Sequence, residues 1–261
     1  MTLEVGLARL AGALGAPTPA VDASVRLPVE TAAWVGRSDT HPIRFWGGHG
    51  AADPPPAVWL TADARRAPAA DIPYLVTGLD EAAAAYRIDR LLDSLLPFTL
   101  HATLVSVLGT GVLLRGASGA GKSETALGLL DRGHKLVADD AVSIVARDAQ
   151  TLEGHAESAG NGTLLLRGLG PLDVDHHFPG QTQATAPIEM VVDIHSNAAG
   201  SPLTGTWLQS GLLGRSLDGV VLAPARPLAL LIETAVRERQ LRGRGYNALE
   251  GLLCRHREHL E

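Results

Sequence analysis

Cysteine is nearly missing from this 261-residue chain: Cys254 stands alone, which excludes an internal disulfide framework and suits a reducing compartment. Aromatic residues are scarce as well. Three Phe, three Tyr and four Trp leave few platforms on which a single-stranded nucleic acid could stack. Positive charge is in deficit, with 22 Lys and Arg against 28 Asp and Glu. With that balance and no long basic stripe, a duplex nucleic-acid binder is not expected. No apolar run approaches the length that spans a bilayer, so no membrane partner is expected. The opening stretch MTLEVGLARLAGALGAPTPA lacks a basic n-region and places Glu4 early, and the reading is a cytoplasmic protein without a secretory signal. What remains is a globular composition, 46% hydrophobic and 19% charged, long enough for one large or two medium domains with a real core.

The chain is organised around residues 103 to 140, TLVSVLGTGVLLRGASGAGKSETALGLLDRGHKLVADD. Within it, Gly116 to Ser123 reads GASGAGKS and fits the spacing G-x-x-x-x-G-K-S. Glycines let the backbone close around phosphate oxygens so that several N–H groups point inward. The following helix N-terminus adds positive dipole, Lys122 neutralises β/γ charge, and the Ser123 hydroxyl can reach a magnesium ion. GVLLRG before the loop reads as a buried strand, and SETALGLLDRG after it reads as a helix ended by Gly133. Strand, glycine loop and helix are the context the motif requires, so the stretch is read as a nucleotide or phosphate site.

Upstream, Ala57 to Asp63 and Ile72 to Gly78 read as short buried strands, separated by the polar stretch Ala64 to Asp71. Trp34, Trp46 and Trp59 are expected to anchor a small core. Gly47-Gly48-His49-Gly50 and Pro54-Pro55-Pro56 read as turns and linkers. Leu79 to Leu96 carries Ile88, Leu91, Leu92, Leu95 and Leu96 on one stripe, which predicts a helix capped by Asp80 and stopped by Pro97. HATLVSVL, a Gly109-Thr110-Gly111 turn and VLLRG predict a hairpin feeding the loop. Further β segments follow at HKLVADDAVSIVARD, at Leu164 to Val174 and at Ile188 to Ile194; LALLIETAVRERQLRGRG and Ala248 to Glu261 read as helices.

Asp139-Asp140 ends the strand after the loop helix, where one carboxylate can hold magnesium and the other can take a proton from an attacking hydroxyl. Glu124 favours the first-turn dipole. His101 alone reads as a strand-end residue. Arg167, in the apolar LRGLG stretch, needs a partner, and a phosphate would serve. Asp173, Asp175, His176 and His177 are read as a polar loop in preference to a metal site, and Cys254, His256 and His259 as terminal-helix residues. Arg237, Arg239, Arg242 and Arg244 form a basic cluster, either solvated or facing an acidic surface or neighbouring subunit.

With loop, paired acids and RGLG together, the chain resembles the bacterial HPr kinase/phosphorylase family. The matching residues are His101-Ala102-Thr103, GASGAGKSETAL, RGHKLVADDAV, LLLRGLG and APARPLALLIETAVR, running from about Ile72 to the C-terminus. The resemblance implies an α/β fold: a mixed-sheet P-loop kinase core related to phosphoenolpyruvate carboxykinase at residues 97–261, after a shortened N-terminal α/β domain and connecting helix at residues 1–96. It implies ATP and Mg²⁺ as cofactors, serine phosphorylation of the phosphocarrier protein HPr, and dephosphorylation by inorganic phosphate with release of pyrophosphate. A homo-oligomer, a hexamer, is implied too. By the same resemblance Gly116, Ala117, Ser118, Gly119, Ala120, Gly121, Lys122, Ser123 and Arg167 bind the nucleotide, and Ser123 and Asp139 hold the metal. His101, Lys122, Asp140 and Arg226 are the catalytic set: Asp140 exchanges the proton, His101 positions the reacting phosphate, and Arg226 lies in a loop tied to dephosphorylation. Three departures stand out. Leu165 replaces a metal-binding glutamate, Pro227 replaces an asparagine, and the short segment Ser196 to Gly219 leaves a further catalytic arginine with Arg215 as its only candidate. A same-fold kinase acting on another protein or a small molecule, or a nucleotide-binding regulator without catalysis, is the alternative.

Overall fold

Among the described residues strands outnumber helices, seventeen to five. A computed structural model describes residues 2–19, 23–46, 55–63, 65, 72–148, 150–157, 162–195, 207–224 and 226–246. The Gly47-Gly48-His49-Gly50 loop, most of the 64–71 stretch, and the terminal segment carrying Cys254, His256 and His259 lie outside the described residues. The chain divides into two units: Met1–Leu96 with Gln209–Leu217, and Pro97–Leu208 with Asp218–Glu261.

In the first unit β1 (Thr2–Gly6) runs into α1 (Leu7–Leu14) and pairs antiparallel with β2 (Ser24–Pro28). Then β3 (Val35–Gly36), β4 (Ile43–Phe45), β5 (Val58–Thr61) and β6 (Tyr74–Val76) form a parallel four-stranded sheet in chain order. Trp34 and Trp59 are buried, and Trp46 meets Trp59 edge-on with ring centroids 4.9 Å apart. Helix α2 (Glu81–Asp93) begins at Asp80, whose carboxylate accepts from the Ala83 N–H at 2.8 Å. It is shorter than the apolar stripe predicts. The chain leaves the helix at Ser94, so Ile88 and Leu92 are buried on it while Leu95 and Leu96 lie in the turn beyond.

The second unit opens with β7 (Phe98–Leu100), β8 (Thr103–Val107) and β9 (Thr110–Gly116), followed by α3 (Lys122–Leu130), β10 (Lys135–Ala138), β11 (Val142–Ala146) and β12 (Leu152–Ala156). A separate hairpin, β13 (Thr163–Leu166) with β14 (Gly170–Asp173), leads to α4 (Val174–His177) and the long β15 (Thr185–Ile194). The chain ends its described course in β16 (Leu208–Leu212), β17 (Arg215–Leu222) and α5 (Leu228–Gly243). Among the described residues the main sheet runs β10-β8-β9-β15-β12-β11-β7, with β17 joining β15 and β16 joining β17. Strands β9, β15 and β17 are mutually parallel, whereas the β10–β8, β8–β9, β15–β12, β12–β11 and β11–β7 pairings are antiparallel, which makes the sheet mixed. Among the described residues no helix is long and apolar enough to cross a membrane.

Two details differ from the sequence expectation. The β8–β9 turn falls at Leu108 and Gly109, both left-handed at φ 51 and 82, so Thr110 and Gly111 lie in β9. Gly111 is there for a long-range reason: a Cβ on it would lie 1.9 Å from the Pro187 carbonyl oxygen of β15. Residues Leu164 to Val174 are no single segment either. Gly168 and Gly170, at φ 86 and 88, fold them into the β13–β14 hairpin.

Helix α3 packs on the sheet and against α5, burying Leu129, Leu130, Ile232 and Val236. At that seam Glu233 is buried and accepts from Arg132 and Arg237, while buried His134 keeps an unpartnered Nε2 at 3.9 Å from the carboxylate. Burial holds the His134 pKa down despite Glu233, and the hydrogen bond from Arg132 first, then nearby positive charge, holds that of Glu233 down. Two more arginines of the cluster are engaged. Arg239 pairs with Asp218 at 2.9 Å and Glu189 at 3.2 Å, and Arg242 stacks over Trp207 at 4.8 Å.

Two outcomes follow from this packing. Gly111→Ala costs about 3 kcal/mol in urea unfolding, because backbone atoms of two parallel strands must separate. Protonation of His134 favours the unfolded chain, so stability is full above the unfolded histidine value of 6.5 and declines as pH falls through it. Glu233 adds a second loss below 4.5. Thermal midpoints of wild type and His134→Gln between pH 8 and 5 check this, since the variant lacks the upper step.

Candidate active site

The phosphate-type loop leaves the carboxyl end of β9 and enters α3. Its start is clamped where β9 and β15 run in register, with Gly116 opposite Ile194 and Arg115 opposite Asp193. Arg115 donates to both Asp193 oxygens at 2.8 Å, tying the two strand ends together just before the loop begins. Gly119, at φ 81, has the Arg167 guanidinium against the side where a Cβ would be, 3.1 Å from Nη2. Gly121 caps α3 in the left-handed region with no side-chain hydrogen bond, so no side chain competes for the first-turn N–H groups.

Lys122 is only 6% exposed. Its Nζ donates to the carbonyls of Gly116 at 3.1 Å and Ala117 at 3.3 Å, and to His101 Nε2 at 3.1 Å. Desolvation lowers its pKa, against the opposing pull of Asp139, Asp140 and Glu124. His101 sits between β7 and β8 with Nδ1 3.0 Å from both the carboxylate and the backbone oxygen of Asp140. Both of those oxygens accept, so Nδ1 carries the proton and Nε2 is left to accept from Lys122. The line Lys122, His101, Asp140 is therefore continuous.

The two adjacent acids have opposite surroundings. Asp139, 7% exposed, accepts from Thr103 Oγ1 at 2.6 Å, from Ser123 Oγ at 2.9 and 3.1 Å, and from the Leu165 N–H at 3.1 Å. Asp140 has left-handed backbone, φ 65, and its side chain is 68% exposed. The turn between β10 and β11 thus sends one carboxylate inward and the other outward. Their mouth is a cleft of about 650 Å³, lined also by Arg167, Leu165 and Leu169. Arg167 has no acidic partner among the described residues, and Leu165 presents a 59% exposed apolar side chain.

Ser123 and Asp139 place hard oxygens side by side, a set suited to Mg²⁺, which takes one or two protein oxygens and fills its octahedron with phosphate oxygens and water. Leu165 adds no oxygen. No group of three or more His, Cys, Asp or Glu able to hold a metal occurs among the described residues. Asp173 caps α4 through the His176 N–H at 3.1 Å, and Asp175 accepts from Thr182 at 2.6 Å, so both serve local structure. Arg226 lines a second cleft, between α3 and the start of α5. Arg215, the candidate for a further catalytic arginine, forms a bidentate pair with Asp93 at 2.6 and 3.0 Å. Sequence reasoning gave no role to Thr103, Arg115 and Asp193. A hydroxyl or charge inside otherwise apolar strands was the available signal.

A glycine loop joining a parallel strand to a helix, with a lysine, a serine and a buried acid beneath it, defines a P-loop domain. The chain belongs to the family described as HPr serine kinase C-terminal domain, whose model matches residues 95–256. It is 38% identical over 170 residues to an HPr kinase/phosphorylase of Alkaliphilus metalliredigens, covering 62% of this chain and 55% of that protein. It is 37% identical over 191 residues to an HPr kinase/phosphorylase of Listeria monocytogenes, covering 69% and 61%. The chain therefore spans less than two thirds of the curated relatives it matches. The solved Hpr(Ser) kinase/phosphatase of Coxiella burnetii superposes with TM-score 0.52 at 31% identity, covering 56% of this chain and 99% of the other. The mixed-sheet P-loop fold that the resemblance implies is thus the family's fold.

Removing the Thr103 hydroxyl isolates Asp139 from one of its donors. Thr103→Val costs about 1–2 kcal/mol in chemical unfolding, with Thr103→Ser close to wild type. Equal stability of the two variants would contradict the role assigned to that hydrogen bond.

Proposed function

We propose that the chain is a Mg²⁺- and ATP-dependent kinase for a serine of the phosphocarrier protein HPr, with dephosphorylation by inorganic phosphate as its reverse activity. The observation that carries the reading is the Lys122–His101–Asp140 line beside the loop, ending in an exposed carboxylate. Membership of the family and the names of the similar proteins support the substrate. A cytoplasmic protein, read from the single cysteine and the opening stretch, and a homo-oligomer, read from the resemblance, accompany this reading.

In the forward direction the loop amides and Lys122 hold the β- and γ-phosphates. For that, Lys122 exchanges its contacts with the Gly116 and Ala117 carbonyls for phosphate oxygens. The seryl hydroxyl gives its proton to Asp140 as its oxygen bonds to the γ-phosphorus, the bridging bond to the β-phosphate breaks, and ADP leaves. His101 keeps Asp140 oriented through Nδ1–H, and Arg167 faces the loop as a cation for the transferring group. In reverse, protonated Asp140 returns its proton to the seryl oxygen while an inorganic phosphate oxygen takes the phosphoryl group, releasing pyrophosphate. Ser123 and Asp139 would hold Mg²⁺, which supplies charge neutralisation for the phosphates when bound. In this reading Arg226 belongs to the dephosphorylation step.

Labelled ATP, Mg²⁺ and HPr test the assignment. Wild type transfers label to HPr, and Asp140→Asn lowers kcat about 10³-fold while retaining nucleotide binding. No transfer by wild type, or full transfer by Asp140→Asn, would sink it. Leu165→Glu adds an oxygen beside Asp139 and lowers the Mg²⁺ concentration for half-maximal rate by about fivefold, read by metal titration of the same assay.

A further inference from the structure

Strand β13 alternates: Leu164 and Leu166 are buried, while Leu165 between them turns outward and is 59% exposed. Its cross-strand neighbour in the β13–β14 hairpin is Pro171, which is exposed as well. The hairpin tip adds Leu169, 81% exposed and set between the left-handed Gly168 and Gly170. The hairpin is therefore apolar on both faces, although only the Leu164 and Leu166 face joins the core. A solvated face of an antiparallel pair ordinarily alternates to polar residues. Both exposed leucines line the cleft of about 650 Å³ that also holds Asp140. Their backbones are fixed there. The Leu165 N–H donates to Asp139 at 3.1 Å, and the Leu169 N–H closes the tip on the Leu166 carbonyl at 3.2 Å.

The cleft thus has a polar side and an apolar side, and they suit different partners in the reaction. Lys122, Ser123 and the first-turn N–H groups of α3 collect donors for phosphate oxygens, with the Arg167 guanidinium against Gly119. Two leucines give a phosphate or a hydrated cation no bond. In-line transfer brings the hydroxyl to the γ-phosphorus from the side opposite the leaving oxygen, so the acceptor enters beside the exposed carboxylate of Asp140. We infer that Leu165 and Leu169 are acceptor-specificity residues, which receive a bulky apolar side chain flanking the serine that is phosphorylated. The inference rests on the proposed serine-kinase reading and adds which serines that kinase selects. Burying an apolar neighbour on the lip holds the hydroxyl at Asp140, whereas a serine flanked by small or charged residues leaves both leucines in water. The resemblance expects a glutamate at position 165, so the contact made there is this chain's own.

Steady-state transfer from ATP to HPr at saturating Mg²⁺ tests this with Leu165→Gln and Leu169→Gln, neither of which adds a carboxylate for a cation. Each raises KM for HPr about fivefold and the pair about twentyfold, while kcat and ATP affinity change by less than about twofold. Leu165→Met stays near wild type, and circular dichroism establishes that the variants fold. A second arm alters the acceptor, comparing HPr forms that carry Leu or Ser at the residue flanking the accepting serine. Wild type prefers the Leu form about tenfold in kcat/KM, and the double variant prefers it by less than about twofold. An unchanged KM in both single variants, or an equal preference for the Leu form in wild type and double variant, overturns the acceptor contact and leaves the kinase reading standing. Weakened ATP binding in the variants overturns it by giving the leucines to the nucleotide. A change in sedimentation overturns it by giving them to a second copy of the chain. No transfer to HPr by wild type removes the kinase reading and the acceptor contact together.

Discussion

The carboxylate of Asp139 receives hydrogen bonds from three distant parts of the chain: the Thr103 hydroxyl of β8, the Ser123 hydroxyl of α3 and the Leu165 N–H of β13. Each bond to an ionised acceptor is stronger than a neutral one, and a buried carboxylate without them would be costly. The three donors also fix geometry. They set the depth at which α3 begins, hold the RGLG hairpin over the loop, and leave the next residue free to present its own acid to the cleft. Arg115 and Asp193 do complementary work at the strand ends, so loop and hairpin hang from two ionic anchors.

The division between Asp139 and Asp140 gives chemistry as well as architecture. A buried acid already satisfied by neutral donors suits holding a cation in place. An exposed one, tethered by a histidine, suits exchanging protons. Adjacent residues reach such different surroundings because the chain turns at Asp140 in left-handed backbone, a conformation Asp tolerates better than bulkier residues. Lys122, folded back on its own loop, completes a site whose interior contacts are satisfied before any phosphate arrives.

What could be seen in the sequence was what is local. The strand–loop–helix context of Lys122 and Ser123 is written within twenty residues, and Asp80 announces α2 three residues before the N–H it caps. What was hidden depends on neighbours far along the chain. Gly109 and Gly111 look interchangeable as turn residues, yet Gly111 is demanded by the Pro187 carbonyl some 75 residues later in the chain. The LLLRGLGPLDV run is apolar throughout, and only the left-handed backbone at Gly168 and Gly170 divides it into a hairpin. Thr103 gave no sign of its partner because Asp139 is 36 residues away. Leu165 was marked by the family resemblance, which expects a glutamate there, but its backbone N–H as a support for Asp139 had no sequence signal.

The β16–β17 hairpin tip belongs to the first unit although it is encoded after most of the second. Trp34 and the Glu30 carbonyl lie where Cβ atoms on Gly214 and Gly211 would be, and Asp93 takes Arg215. During synthesis, therefore, the first unit waits for its final strand until the ribosome has passed residue 217. The core of Met1–Leu96 is held incomplete through the emergence of β7 to β15, and half-buried Asp93 spends that interval without its cation. Order of translation and order of completion are thus reversed. A chain cut after Leu96 would lack the piece that closes its own first unit.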